Sequence, residues 1–191
     1  MEEPEIKNIE VEYEEIEPSV KMPTGEPMMT TQQVIDIYGE PDETGGYLVT
    51  IDLPYPMRLA WDTDRTVTRM RCHKLLKDKF LAVFNDILDE YGIEKIKELG
   101  IDLFGGCFNF RKMRGGNDWS KHSFGIAIDL DPERNSLRTK WKNANFSKPE
   151  YKPMFEIFYK HGFQSLGMER DFDSMHLEPS LKMSKEMSKN V

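Results

Sequence analysis

The chain is organised around one stretch, Trp119-Ser120-Lys121-His122-Ser123-Phe124-Gly125-Ile126-Ala127-Ile128-Asp129-Leu130-Asp131. The stretch begins as a polar loop and ends as a strand-like run of small and branched apolar residues. In an extended strand the two isoleucines would share one face, and Asp129 would project from the other. His122 lies at the entry to this strand, and Gly125 allows the backbone to turn between them. The stretch therefore predicts a histidine and a carboxylate that a turn and a strand bring close together.

A second stretch near the C-terminus, Asp173-Ser174-Met175-His176-Leu177-Glu178, supplies another histidine. Two histidines and one carboxylate are ligands that a catalytic zinc ion uses when a fourth position stays open for water. We expect the fold to bring His122, Asp129 and His176 to one Zn²⁺ ion. Asp173 is the candidate general base. Residues three apart on a regular strand face opposite sides, so Asp173 must lie in a bend before the strand.

Two arginines, Arg111 and Arg114, lie on the loop before the first stretch. One of them could bind a substrate carboxylate or the oxyanion of a tetrahedral intermediate, because guanidinium groups pair with both. The alternative is that both are solvated loop residues, and that Asp129 is a buried structural carboxylate without a metal. His73 and His161 are interpreted as structural, His73 inside a long helix and His161 at a helix C-terminus.

Other catalytic arrangements find no support in the sequence. It contains no H-E-x-x-H, G-x-S-x-G, Walker or G-x-G-x-x-G motif. A cysteine nucleophile would need a histidine partner, and Cys107 falls in a predicted apolar strand. We therefore interpret Cys72 and Cys107, the only cysteines, as buried thiols.

Composition limits the possible partners. The 191 residues are 38% hydrophobic and 31% charged, with a formal net charge of -8. Residues 1–25 hold eight Glu and two Lys and so contribute -6 of that charge. A negative chain without a basic stripe is not expected to bind nucleic acid. No apolar run approaches the roughly 20 residues that span a bilayer, so membrane insertion is not expected.

The hydrophobic pattern predicts four helices and several short strands. Helices are expected over 30–38, 66–91, 93–99 and 148–160, with Gly39, Gly92 and Gly100 at three of their ends. A hairpin is expected from 47–53 and 57–61, with Pro54 and Pro56 in its turn. Strands are expected over 103–110, 123–130 and 175–179. Alternation of Ile9, Val11 and Tyr13 favours one edge strand, and the tail after Leu181 is expected to fray.

Residues 120–129 resemble the S-x-H-x-x-G-x-A-x-D signature of the D-alanyl-D-alanine carboxypeptidase and L-alanyl-D-glutamate endopeptidase family of zinc peptidases, which includes VanY-like enzymes and many phage endolysins. Residues 173–178 look like the family's second signature, and 107–111 are similar to the strand that delivers its substrate-side arginine. The resemblance covers roughly residues 103–179. It implies an α+β fold like that of hedgehog and D-Ala-D-Ala metallopeptidases, with a small, mainly antiparallel sheet flanked by helices.

Carried over by position, the resemblance implies a Zn²⁺ cofactor on His122, Asp129 and His176, Asp173 as base and Arg111 as the oxyanion or substrate contact. Ser120 is expected to support the His122 loop. An Asp three residues before the last histidine resembles the endopeptidase branch, whereas the carboxypeptidase branch usually has Glu there.

These residues lead to one expected function. We expect a single catalytic domain over 26–181, between an acidic extension (1–25) and a tail (182–191), that hydrolyses the L-Ala–D-Glu bond of bacterial peptidoglycan. The absence of an export signal favours a phage lysis enzyme that is made in the cytoplasm, reaches the wall on lysis and acts as a monomer. The alternatives are a D-Ala-D-Ala carboxypeptidase and a non-catalytic, zinc-stabilised virion or binding module.

Overall fold

A six-stranded sheet forms the centre of the protein in the computed structural model, which describes residues 21–189. The strands are β1 (Leu48–Leu59), β2 (Asp62–His73), β3 (Leu103–Gly106), β4 (Ile128–Leu130), β5 (Phe163–Ser165) and β6 (His176–Pro179). Their order is β2-β1-β3-β4-β6-β5, with β1 and β3 parallel and the other neighbours antiparallel. Helices flank this sheet, so the predicted α+β class with a mainly antiparallel sheet is confirmed.

The helices are α1 (Thr31–Tyr38), α2 (Lys77–Leu99), α3 (Lys152–Lys160), α4 (Leu166–Arg170) and α5 (Leu181–Ser188). The predicted first helix is confirmed, because Thr30 and Gln33 form a capping box before α1 and Gly39 follows it. The helical axis of α2 is interrupted at Gly92, whose φ of 67° lies outside the helical region, and Gly100 ends the helix in a left-handed conformation. Both predicted glycine stops therefore mark real changes in the backbone.

The predicted hairpin is wrong in its extent. β1 continues through Pro54 and Pro56, and an irregularity in the β1–β2 pairing between Asp52 and Met57 accommodates the two prolines. The turn lies instead at Ala60–Trp61, and β2 then occupies residues 62–73.

The predicted helix over 66–91 is therefore wrong for its first eleven residues. Val67 and Met70 are three residues apart, which imitates helical spacing, but this segment pairs with β1 along its length. Pairing in the tertiary structure has overridden a local pattern. The helix begins only at Lys77, after a 3-10 turn at Lys74–Leu76.

Other predicted bounds shift by several residues. β3 ends at Gly106, and residues 121–124 form a 3-10 helix before β4. A 3-10 turn at Pro149–Tyr151 precedes α3, while β5 and α4 were not predicted. Residues after Leu181 form α5 with Met183 buried, and do not fray as predicted. The edge strand predicted around Ile9 lies outside the described residues.

The core lies where α2 and α3 pack on the sheet. β1 buries alternate residues from Ile51 to Leu59, and the buried aromatic rings of α2 and α3 complete the cluster. Three strand residues next to the site are also fully buried there, namely Ile128, Leu130 and Leu177. Because strand residues alternate, Asp129 and His176 project from the opposite face.

Among the described residues, none of the helices is both long enough and apolar enough to cross a bilayer.

Candidate metal centre

Two paired strands and one short 3-10 helix carry the three predicted metal ligands. Asp129 in β4 and His176 in β6 are direct partners in the antiparallel ladder, so their side chains leave the sheet side by side. His122 lies in the 3-10 helix Lys121–Phe124, which Gly125 ends in a left-handed conformation with a φ of 66°. A side chain is strained at this φ, and its Cβ would lie 3.1 Å from the backbone nitrogen of His73. Glycine is therefore required where the chain turns toward β4.

The three donor atoms converge on one point. His122 Nε2 lies 3.2 Å from Asp129 Oδ1 and 3.2 Å from His176 Nδ1, and the last two atoms are 3.1 Å apart. In a tetrahedral zinc site with bonds of about 2.0–2.1 Å, neighbouring ligand atoms lie about 3.3 Å apart. The spacing therefore fits one four-coordinate ion, and the three side chains are almost fully buried.

The outer partners of the two imidazoles indicate which ring nitrogen carries a proton. His122 Nδ1 lies 2.8 Å from the carbonyl oxygen of Cys107, which can only accept, so Nδ1 donates and Nε2 keeps its lone pair. His176 Nε2 lies 3.2 Å from Glu178 Oε2, so here Nδ1 keeps the lone pair. When both rings are neutral, three acceptor atoms therefore face one another, and this arrangement needs a positive charge among them, either a proton or a metal cation. This donor set fits a metal ion.

Two carboxylates give the centre a negative potential. Burial lowers the pKa of His176, but hydrogen bonds to Asp129 and Glu178 outweigh this effect and raise the pKa to about 10. Burial raises the pKa of Asp129, but His122 and His176 outweigh it and the pKa is lowered, so the carboxylate is ionised at neutral pH. The field that favours a proton on His176 would equally favour a divalent cation beside it.

Asp173 lies in the bend that the sequence predicts before the last strand. Its φ of 54° is left-handed, its amide donates to the Leu137 carbonyl oxygen and its carbonyl accepts from the His176 amide. Burial raises the pKa of the Asp173 carboxyl, the charges of His176 and Arg111 oppose the rise, and that of Asp129 adds to it. Its Oδ1 is buried and finds no hydrogen-bond partner among residues 21–189. An unpaired carboxylate oxygen near the metal ligands suits a general base.

The two predicted substrate arginines have different surroundings. Arg111 is half-buried, its amide donates to Ser123 Oγ, and its charge acts on Asp173. Arg114 is exposed in the turn that follows, and makes no hydrogen bond or ion pair with another described residue. The structure therefore brings Arg111, but not Arg114, within electrostatic reach of the centre.

Ser120, which the sequence predicts to support the His122 loop, caps the 3-10 helix that carries this ligand. Ser120 precedes the 3-10 helix, and its Oγ accepts a hydrogen bond from the His122 amide at 3.3 Å. This contact is the kind of support that the sequence predicts for the His122 loop.

Two groups at the centre were not predicted, the Glu178 carboxylate and the Cys107 carbonyl. Glu178 follows His176 by two residues on a strand, which places both side chains on one face. That spacing is a signal that could have identified it. A backbone carbonyl carries no sequence signal, because every residue has one.

The other histidines and the cysteines lie outside this centre. His161 follows the last residue of α3, as predicted, and its Nε2 lies 2.7 Å from Asp86 Oδ2. His73 ends β2 and not a helix, and its Nε2 lies 3.0 Å from the Tyr38 carbonyl oxygen. Both cysteines are free and buried, as predicted. Burial raises the pKa of the Cys107 thiol well above its usual value, which disfavours a thiolate nucleophile.

Comparison with known proteins finds one family. Residues 114–179 match the family model described as D-alanyl-D-alanine carboxypeptidase. The matched segment contains His122, Asp129, Asp173 and His176, and it confirms the resemblance seen in the sequence. No curated protein and no solved structure matches the chain at a significant level.

Proposed function

We propose, from the place of residues 114–179 in the D-alanyl-D-alanine carboxypeptidase family, that the chain is a zinc-dependent peptidase of bacterial peptidoglycan, and that it cuts the L-Ala–D-Glu bond of the stem peptide. The observation that carries the proposal is the convergence of three lone-pair atoms within 3.2 Å, beside a buried carboxylate oxygen without a partner. The family match supports a metallopeptidase in general, and the choice of bond is our inference.

The residues of the chain divide the work. His122, Asp129 and His176 would hold the zinc ion, which when bound lowers the pKa of water toward about 7 and polarises the scissile carbonyl. Asp173 would accept the proton of the attacking water on a carboxylate oxygen and pass it to the leaving amine. Because burial raises the pKa of this carboxyl, Asp173 accepts and holds a proton more readily than an exposed aspartate would.

Arg111 supplies the positive charge on the substrate side. Its guanidinium acts on the Asp173 carboxyl, and its side-chain Nη1 makes only a long contact of 3.3 Å with the Lys112 carbonyl oxygen. The group is therefore available to a substrate carboxylate or to an oxyanion. A stem peptide contains several carboxylates that such a group could bind.

The identity of the base favours the endopeptidase. Asp173 stands where the carboxypeptidase branch usually has a glutamate, and an aspartate at this position resembles the endopeptidase branch. The rival within the enzyme class is removal of the terminal D-Ala. The rival from another class is a zinc-stabilised virion or binding module, against which the unpaired oxygen of Asp173 is the specific observation, because a structural zinc site needs no base.

The setting proposed for this enzyme is the bacterial wall during phage lysis. Peptidoglycan would be its partner, and the protein would act as a monomer.

Cleavage of isolated cell walls tests the proposal. Zinc-loaded protein is incubated with purified peptidoglycan, and newly exposed amino termini and free amino acids are identified by mass spectrometry. New amino-terminal D-Glu is expected, whereas release of free D-Ala would identify a carboxypeptidase. Chelation should stop cleavage, and added zinc should restore it. Failure of the zinc-loaded protein to release any product from walls of several chemotypes would exclude the enzyme and favour the binding module.

A further inference from the structure

The far side of His176 carries a second layer of charged and polar groups. Glu178 is fully buried, and its Oε2 lies 3.2 Å from His176 Nε2, the ring nitrogen that faces away from the metal position. In β6 the two residues are two apart, so both side chains project from the same face. Glu178 therefore contacts the ligand from behind and cannot reach a substrate, which separates its place from that of Asp173.

A buried carboxylate at this position needs compensation. Glu178 is completely buried, and among residues 21–189 its carboxylate has one hydrogen-bonding contact, the 3.2 Å contact between Oε2 and His176 Nε2. An apolar residue would fill the same volume without this desolvation cost, so packing alone does not explain a carboxylate here.

Gln164 stands directly across the β5–β6 ladder from Glu178 and is itself fully buried. Neither atom of its side-chain amide, nor Glu178 Oε1, is in hydrogen-bonding geometry with any group in residues 21–189. Rotation of the Gln164 side chain that brings its amide N–H to Glu178 Oε1 would pair these two atoms. The two side chains form a buried polar pair behind the metal ligand.

Lys121 connects the 3-10 helix of His122 to the N-terminal part of the chain. It directly precedes His122 in that helix and is half-buried. Its Nζ donates to the carbonyl oxygen of Met29 at 2.6 Å. Met29, which is 3% exposed, lies in the segment before α1, far outside the part of the chain that matches the family model.

We propose that Glu178 is a positioning residue that fixes the ring of His176 with Nδ1 toward the metal, and that Gln164 holds Glu178 in place from across the ladder. Lys121, which precedes His122 and donates to Met29, ties residues 21–30 to the 3-10 helix that carries the first ligand and so makes them part of the support of the metal centre. The inference rests on the proposed zinc site, but it concerns metal affinity and not the bond that is cut. Outer partners of this kind typically change metal affinity by about 10–100-fold when they are replaced.

Zinc affinity of Glu178→Gln, measured by competition with a chromophoric chelator, tests the inference directly. We expect a loss of about 10–100-fold, with an altered Co²⁺ absorption spectrum because the ligand ring is no longer held by an anion. Asp102→Asn is the matched control. Asp102 is also a fully buried carboxylate, but it pairs with Arg58 and not with a ligand, so its replacement should lower stability and leave zinc affinity unchanged.

The inference would be overturned if Glu178→Gln kept the zinc affinity and Co²⁺ spectrum of the unmodified protein, or if Asp102→Asn lost zinc affinity to the same extent. If Glu178→Gln does not fold, an unchanged zinc affinity in Lys121→Met would overturn it. In the last variant we expect a several-fold loss of zinc affinity together with faster hydrogen exchange at the amides of residues 29–30. An unmodified protein that binds no zinc at all would instead refute the proposed function.

Discussion

Chemistry at the scale of single residues depends on which atoms carry lone pairs. The Cys107 carbonyl and the Glu178 carboxylate turn the lone pairs of His122 and His176 inward, where Asp129 Oδ1 already lies. A cation relieves the repulsion among the three acceptors, and Asp173 stands beside them with a free oxygen. Metal binding and proton transfer are therefore assigned to different residues, and mutations can separate the two.

Replacement of Asp173 by Asn should remove activity and retain zinc. The amide cannot accept the proton of the attacking water, so turnover should fall by about 10²–10⁴-fold. Zinc content by elemental analysis should stay at the level of the unmodified protein, since Asp173 is not a ligand. His122→Ala is the comparison, because it should lose both zinc and activity. Substantial wall cleavage by Asp173→Asn would show that another group is the base.

Gly105 in β3 should tolerate no side chain. A Cβ there would lie 2.9 Å from the Cβ of Asp129 and 3.0 Å from its carbonyl oxygen, so β4 would have to shift. We expect Gly105→Ala to cost about 1–3 kcal/mol of unfolding free energy and to weaken zinc binding. Gly116→Ala is the control, because no atom lies within 4 Å of its Cβ position. Urea denaturation and chelator competition measure both quantities, and equal behaviour of the two variants would contradict the prediction.

Neighbouring elements hold the site in position. β4 has only three residues, yet it pairs with β3 on one side and β6 on the other. The 3-10 helix of His122 is held in turn by the end of β2, where the His73 amide donates to the Gly125 carbonyl oxygen at 2.8 Å. The β1–β2 hairpin thus supports the site, although it lies outside the segment that matches the family model.

His73 should make the hairpin end sensitive to acid. Burial lowers its pKa from 6.5 to about 4, so the unfolded chain takes up this proton at a higher pH than the folded protein. Stability from this residue is therefore present above about pH 6.5 and is lost as the pH falls toward about 4, by at most about 1.4 kcal/mol per pH unit.

Urea denaturation in the presence of a chelator, across this pH range, checks the prediction for His73. His73→Gln keeps a donor for the Tyr38 carbonyl oxygen but cannot titrate, so its unfolding free energy should fall less steeply with acid. Parallel curves for the two proteins would show that His73 does not contribute.

At the scale of the whole molecule, residues 21–30 pack against α4 through hydrogen bonds to Glu169 and Arg170. Glu169 accepts hydrogen bonds from the amides of Thr24 and Gly25, from Thr24 Oγ1 and from the Tyr159 hydroxyl. Arg170 donates to the Glu26 carbonyl oxygen. Through these contacts, the segment belongs to the folded unit although it lies far from the matched family segment in sequence.

Truncation should separate the effect of residues 1–20 from that of residues 21–30. A chain that begins at Lys21 should keep its melting temperature and zinc affinity. A chain that begins at Thr31 loses the buried side chain of Met29 and the partners of Glu169, which should cost at least about 2 kcal/mol, or roughly 4–8 °C in melting temperature. Circular dichroism melts measure this difference, and a Thr31 chain as stable as the Lys21 chain would contradict it.

The α+β class and the residues whose donor atoms converge could both be predicted from the sequence. Donor chemistry belongs to the residue type, and the turn before β4 is specified locally by His122, Gly125 and Asp129. Local spacing failed at β2, where Val67 and Met70 imitate a helix, because strand pairing with β1 is a long-range interaction. The tertiary structure was needed to show which ring nitrogens face inward, that Gln164 faces Glu178 behind His176, and that Lys121 reaches Met29. Those contacts join residues that are far apart in the sequence, so no local sequence pattern predicts them.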